Sequence, residues 1–175
     1  MIAIPQLIEN DRLIIRPITH EDVDDYYHLT RTTKTLSPLP FDSLDSRHMV
    51  WKTLARFMSP ISECRAFAVM DKRGKLQGVI FITVDDVDRK TSLSWMFRPI
   101  LDQVVRAIEL FLGSLNGASC GRIEILIHPA HMEAAELAMN LDFQKEANLP
   151  SHIFRNGKYH DVWLFSRMSR TIRKV

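Results

Sequence analysis

The run Ser92-Leu-Ser-Trp-Met-Phe97, stopped by Pro99 and followed by apolar residues at helical spacing, limits the possible folds more than any other part of the chain. Val104, Val105, Ile108, Leu112 and Leu115 recur at three- and four-residue steps, which predicts a helix from about Asp102 to Leu115, ended by Asn116-Gly117. Arg122 to His128 alternates and is rich in β-branched residues, so it reads as a strand. Pro129 opens a further helix to about Leu141, with Ala134, Ala135, Leu137 and Ala138 forming a small-residue face that packs closely. A strand–helix–strand order implies a crossover between neighbouring strands.

The first half reads differently. Arg12 to Arg16 is a short strand closed by Pro17, and Thr19-His-Glu-Asp opens a helix through Tyr26, Tyr27 and Leu29. Pro38 and Pro40 mark a loop. Ser46 can cap a second helix with Met49, Val50, Leu54 and Phe57 on one face, ended near Pro60. Arg65 to Met70 and Leu76 to Val84 flank the turn Asp71-Lys-Arg-Gly74, and a charged connection, Asp85 to Lys90, leads on to Ser92. Near the C-terminus, Phe143 to Ala147 begins a strand, and His152–Arg155 and Lys158–Ser166 flank Asn156-Gly157, a two-residue hairpin signal. The order β-α-α-β-β-β-α-β-α-β-β predicts an α/β chain of mixed α+β character. Its sheet should have seven strands, mostly antiparallel, with helices on both faces.

Length and charge narrow the class. The 175 residues fit one domain, 1–175, with a basic tail from about 169 to 175. Apolar residues make up 46% and charged residues 25%, with a net charge of +2, too small to argue for nucleic acid or an anionic membrane. No apolar run reaches the length of a membrane span and the first residues lack a basic leader, so a cytoplasmic protein is expected. Cys64 and Cys120 sit beside apolar runs and read as buried, reduced thiols. His128, His131, His152 and His160 match no compact ligand spacing, so no metal is expected.

Four segments in order resemble one family. Arg12-Leu-Ile-Ile-Arg-Pro-Ile-Thr-His-Glu-Asp22 is similar to the opening of the RimJ/RimL-like branch of the GNAT N-acetyltransferases. Arg122-Ile-Glu-Ile125 resembles a strand of that branch, Glu136-Leu-Ala-Met-Asn-Leu-Asp-Phe143 a helix end, and Asn156-Gly-Lys-Tyr-His-Asp161 with Val162-Trp-Leu-Phe165 the closing hairpin. The resemblance covers roughly residues 10 to 168 and implies the GNAT fold. It also implies transfer of an acetyl group from acetyl-coenzyme A to an amine, either a protein N-terminus or a small amine. An α-amine with pKa near 8 is about a tenth neutral at pH 7, so it asks little of a general base.

The resemblance implies site residues too. Trp95, Met96 and Phe97 lie on the strand that opens in relatives to take the pantetheine arm, with ordinary core packing as their plain alternative. Arg98, Gln103 and Val104 belong to the loop and helix start that hold the diphosphate, and His131 stands where relatives carry a cofactor-side Asn. His128 ends its strand at the presumed cleft as a candidate base or a surface histidine. Glu124, earlier on that strand, shares its face, and is otherwise a partner for Arg122's surroundings. Tyr159, beyond the hairpin turn, borders the acceptor site or serves hairpin pairing.

One departure bears on the cofactor. Relatives hold the diphosphate on glycines that open the central helix, where backbone N–H groups and the helix dipole meet the anion. Here Pro99, Ile100, Leu101 and Asp102 stand in that stretch: Pro99 has no N–H, Ile100 and Leu101 are bulky, and Asp102 is an anion. Two readings follow: an acyltransferase with a rebuilt loop, or a GNAT-shaped domain that has given up coenzyme A. The second would serve as a binding or structural partner, with a protein partner or a second copy of itself.

Overall fold

The computed structural model describes residues 6–32, 35–41, 44–59, 62–115 and 120–168. Pro60, Asn116-Gly117 and the basic tail from 169 onward lie outside the described residues. The elements run β1 Ile8–Glu9, β2 Leu13–Pro17, a 3₁₀ turn His20–Asp22, α1 Val23–Thr30, α2 Arg47–Met58, β3 Cys64–Asp71, β4 Leu76–Asp85, β5 Lys90–Phe97, α3 Leu101–Leu115, β6 Arg122–Ile127, α4 Met132–Asn140, β7 Gln144–Arg155 and β8 Lys158–Met168. The sheet has the order β1-β2-β3-β4-β5-β6-β8-β7, and every pairing is antiparallel except β5 with β6.

Strand alternation divides the core in two. Leu13, Ile15, Phe67, Val69, Ile80, Ile82, Leu93, Trp95, Ile123 and Ile125 face α3 and α4, where Val104, Ile108, Phe111, Ala134 and Ala138 meet them. Ala66, Ala68, Val79 and Met96 point the other way, against Tyr26, Leu29, Val50 and Leu54 of α1 and α2. Helices thus cover both faces, as the order of elements implied.

Five details differ from the sequence reading. The sheet has eight strands, because two-residue β1 pairs with β2 across a turn in which Asn10 Oδ1 accepts from the N–H groups of Arg12 and Leu13. A strand that short leaves no periodic signal. Pro129 does not open a helix: it sits second in the turn His128–His131, closed by His131 N–H to His128 O at 2.8 Å, and α4 begins only at Met132. Of the apolar face expected on α2, Met49 is exposed, whereas Val50 and Leu54 are buried as expected and Phe57 packs against them. The last two pieces of β sequence before the hairpin are one strand, β7, with register shifts between Lys145 and Ala147 and between Leu149 and Ile153. As the sheet's edge, β7 tolerates Pro150, and the Ser151 N–H is caught by Asp161 Oδ1 at 2.7 Å. Cys64 and Cys120 are both free thiols, but only Cys120 is buried; Cys64 is half-buried, with its sulfur 3.3 Å from Thr83 Oγ1.

Candidate active site

The β5–β6 pairing is short. It joins Lys90, Thr91 and Ser92 to Arg122, Ile123 and Glu124, and beyond Ser92–Glu124 the strands part. Residues 36–38 enter the opening. Leu36 exchanges both backbone hydrogen bonds with Phe97, at 2.9 and 3.0 Å, and Pro38 O accepts from His128 N–H at 2.8 Å. Phe97 therefore turns its peptide groups away from β4 and toward the opening, and by the two-residue strand period Trp95 does the same.

Two clefts meet at this segment. One, of about 340 Å³, is lined by Trp95, Leu101, Ala130, Met132, Ala134 and Leu137. The other, of about 560 Å³, is lined by Thr30, Thr32, Pro40, Phe41, Met96 and Pro99. Trp95 and Met96 face opposite cores, so the clefts open on opposite faces of the sheet. Thr35, Leu36, Ser37, His131 and Glu133 line both. Among the described lining residues there is no lysine or arginine.

His131 sits at the junction as the N-cap of α4. Its Nδ1 lies 2.8 Å from Ser37 O. A carbonyl oxygen only accepts, so Nδ1 carries the proton, and neutral His131 keeps an Nε2 lone pair that the described residues leave unpaired.

His128 is differently placed. Ala130 N–H donates to its Nδ1 at 3.1 Å, so the Nε2 proton of the neutral ring points to His160 Nδ1, also at 3.1 Å. His160 in turn donates from Nε2 to Arg155 O at 3.1 Å. Burial, together with nearby His131, His160 and Lys158, holds the His128 pKa below its ordinary range. The ring stays neutral with both nitrogens engaged. It ties the end of β6 to the β7–β8 hairpin and supports the turn that carries His131. His128, His131 and His160 cluster, but among the described residues no group of His, Cys, Asp or Glu is arranged to hold a metal.

The other expected residues divide. Glu124 accepts from Arg122 Nε at 2.7 Å, and Arg122 also grips Glu146. Arg122, with the Ser166 hydroxyl, holds the Glu146 carboxyl at about 2. Glu124 lies four residues from His128, about 13 Å along a strand, so the structure does not bring these two together. Tyr159 is 67% exposed and packs edge-on against Phe154 at the hairpin tip, on the face of β8 opposite His160. Trp95, Met96 and His131 reach the clefts, Phe97 contributes its backbone, and Val104 is wholly buried in the core. Sequence reading missed Ser37 and Glu133. Only the fold brings the Pro38 segment to His131, which lies 94 positions from Ser37.

The opening suits an aliphatic, amide-bearing arm, with the Trp95 peptide on one side and Leu36, Leu101, Ala134 and Leu137 around it. The start of α3 does not suit a diphosphate. Ile100 N–H turns back to Arg98 O at 2.7 Å, and Gln103 and Val104 N–H both bond Ile100 O. Arg98 is drawn to β4, its N–H on Gln77 O and its Nε on Leu76 O. The Leu101 and Asp102 N–H groups remain, in a first turn that carries the Asp102 carboxylate. Gln103 Oε1 is buried with no partner among the described residues.

A mixed sheet parted between its one parallel pair, with α3 and α4 beside the gap, is the GNAT acetyltransferase fold, and this chain has it. The structure is similar to RimL, a ribosomal L7/L12 α-N-protein acetyltransferase solved with coenzyme A, with TM-score 0.78, 13% identity and coverage of 94% of this chain and 99% of that one. It is also similar to a GCN5-related N-acetyltransferase from Brucella melitensis, at TM-score 0.79, 16% identity and coverage of 98% and 83%. Spermidine N-acetyltransferase from Vibrio cholerae, solved with coenzyme A and spermine, superposes at TM-score 0.69, 17% identity and coverage of 91% and 97%. No protein-family profile and no curated protein matches the sequence. Among the described residues no helix is long and apolar enough to cross a membrane.

Proposed function

We propose that this chain is an N-acetyltransferase whose acyl thioester enters the smaller cleft and whose amine enters the larger one on the opposite face of the sheet. The observation that carries the reading is His131. It lines both clefts, and no described residue pairs with its Nε2. The donor supplies an electrophilic thioester carbon. The chain positions it by the Trp95 peptide and the apolar lining, and His131 Nε2 accepts the amine's proton as the amide forms. Glu133 draws a cationic amine to the junction, and the lack of cations among the described lining residues leaves that attraction unopposed.

The acceptor class follows from the neighbours and from acidity. One neighbour acetylates a protein N-terminus and another spermidine. An α-amine is about a tenth neutral at pH 7, which a single imidazole can serve, so a protein N-terminus or a small amine of similar pKa is the proposed acceptor. The second reading, a partner-binding domain without coenzyme A, is favoured by the α3 start described above. A panel of peptides with free N-termini and of polyamines, incubated with acetyl thioesters and followed by product mass and thiol release, decides between them. Acetylated product that vanishes in His131→Asn supports the transferase. No product from any pairing sinks it.

A further inference from the structure

We propose that the donor is recognised through its pantetheine arm and not through a nucleotide diphosphate. The site would then take short pantetheine thioesters about as readily as coenzyme A thioesters. This rests on the acyltransferase reading and names its donor class.

The arm's slot and the diphosphate's place give opposite signals. The slot is built: β5 and β6 part after Ser92–Glu124, the Trp95 peptide faces the gap, and Leu36, Ala134 and Leu137 line it. At the mouth, where a diphosphate would leave the slot, most of the usual donors are missing or spent, the amides of Leu101 and Asp102 excepted. Pro99 has no N–H, the amides of Ile100, Gln103 and Val104 are bonded internally, and Arg98 donates to Leu76 O and Gln77 O on β4. What is exposed at the start of α3 itself is apolar or acidic, with Arg106 an exposed cation one turn further along. Ile100, Leu101 and Met132 are 45%, 52% and 50% exposed, and Asp102 is an exposed carboxylate next to Leu101. An anion arriving there loses hydration and meets like charge. A neutral arm that ends at the mouth loses nothing.

The transfer balances without the nucleotide. The amine nitrogen bonds the acyl carbon, the carbon–sulfur bond breaks with its electron pair going to sulfur, and the amine's proton passes by His131 to the departing thiolate, which leaves as the thiol.

The test compares acetyl-coenzyme A with S-acetyl-pantetheine on the intact chain, by steady-state kinetics and by calorimetry. Adenosine 3′,5′-bisphosphate serves as competitor. The expected kcat/KM values agree within about threefold and the bisphosphate does not compete, because uniform binding to a remote group is absent. A preference for acetyl-coenzyme A of about a hundredfold, the worth of one or two charge-assisted hydrogen bonds, would overturn the inference and leave the transferase reading standing. Competition by the bisphosphate would do the same. If neither thioester binds nor turns over, the transferase reading falls, and this inference with it. The double variant Pro99→Gly with Asp102→Ser gives a further check. It should raise affinity for acetyl-coenzyme A about tenfold without changing that for S-acetyl-pantetheine, and an unchanged ratio counts against the proposal.

Discussion

His131 Nδ1 donates to Ser37 O at 2.8 Å, and this one bond decides which imidazole nitrogen is left for chemistry. Asn at 131 can place its amide N–H where Nδ1 stands and keep the bond to Ser37, but it has no basic nitrogen. The His131→Asn chain is expected to fold with an unchanged thermal midpoint and to lose acetyl transfer by about 10²- to 10⁴-fold in kcat, with little change in KM. A fall in KM-related terms alone would mean that His131 only positions the segment 36–38.

Gly78 lies under the ring of Phe97. A Cβ at Gly78 would come within 2.1 Å of Phe97 Cδ1, closer than any side chain permits. The two residues are cross-strand partners on β4 and β5, and Phe97 also carries the bridge to Leu36. Gly78→Ala should therefore cost about 1–3 kcal/mol in urea unfolding and disturb the cleft. Phe97→Leu in the same chain should recover part of that loss, a coupling that a double-mutant cycle reads directly.

Asp22 is buried, and Arg16 holds it with two hydrogen bonds of 2.8 Å while Thr19 N–H adds a third. Burial alone would push the Asp22 carboxyl up. The Arg16 fork and the Thr19 amide outweigh it and hold the pKa below the usual carboxylate range. A depressed carboxylate stabilises the fold fully above its unfolded pKa, near 3.9, and that contribution is lost as pH falls through the depressed value. Asp22→Asn leaves Arg16 without its counter-charge and should cost about 2–4 kcal/mol at pH 7, a penalty that shrinks below pH 3. Denaturant curves at pH 7 and pH 2.5 measure both.

The strand and helix order was legible because period-two and helical patterns were clean, as in Arg122–Ile127 and Val104–Leu115. The GNAT resemblance supplied the parting of β5 from β6, which no local pattern could show. What stayed hidden were contacts made by backbone. Leu36 on Phe97 and Pro38 on His128 use peptide groups that every residue carries, so no side-chain type marks them. Ambiguous residues hid the rest. Proline suits both the first turn of a helix and the second place of a β-turn, and at Pro129 the turn won. Even spacing put Glu124 on His128's face, but distance along the strand, not face, separates them.

The pair His128–His160 gives the last prediction. Burial and the neighbouring His131, His160 and Lys158 lower the His128 pKa, so the folded state binds a proton there less readily than the unfolded chain does. The neutral ring's contribution is present above the ordinary value of 6.5 and is lost as pH falls through the depressed one. Thermal midpoints should therefore drop between pH 7 and pH 5. In His128→Gln, which no longer titrates, that drop should be smaller by a measurable margin, and His160→Gln should shift the His128 transition upward, because His160 is one of the neighbours that lower it. Following the His128 ring by NMR titration in wild type and His160→Gln checks the sign: equal midpoints in both chains would show that the two imidazoles are not electrostatically coupled, and the hydrogen bond from His128 Nε2 to His160 Nδ1 would then lose its assigned role.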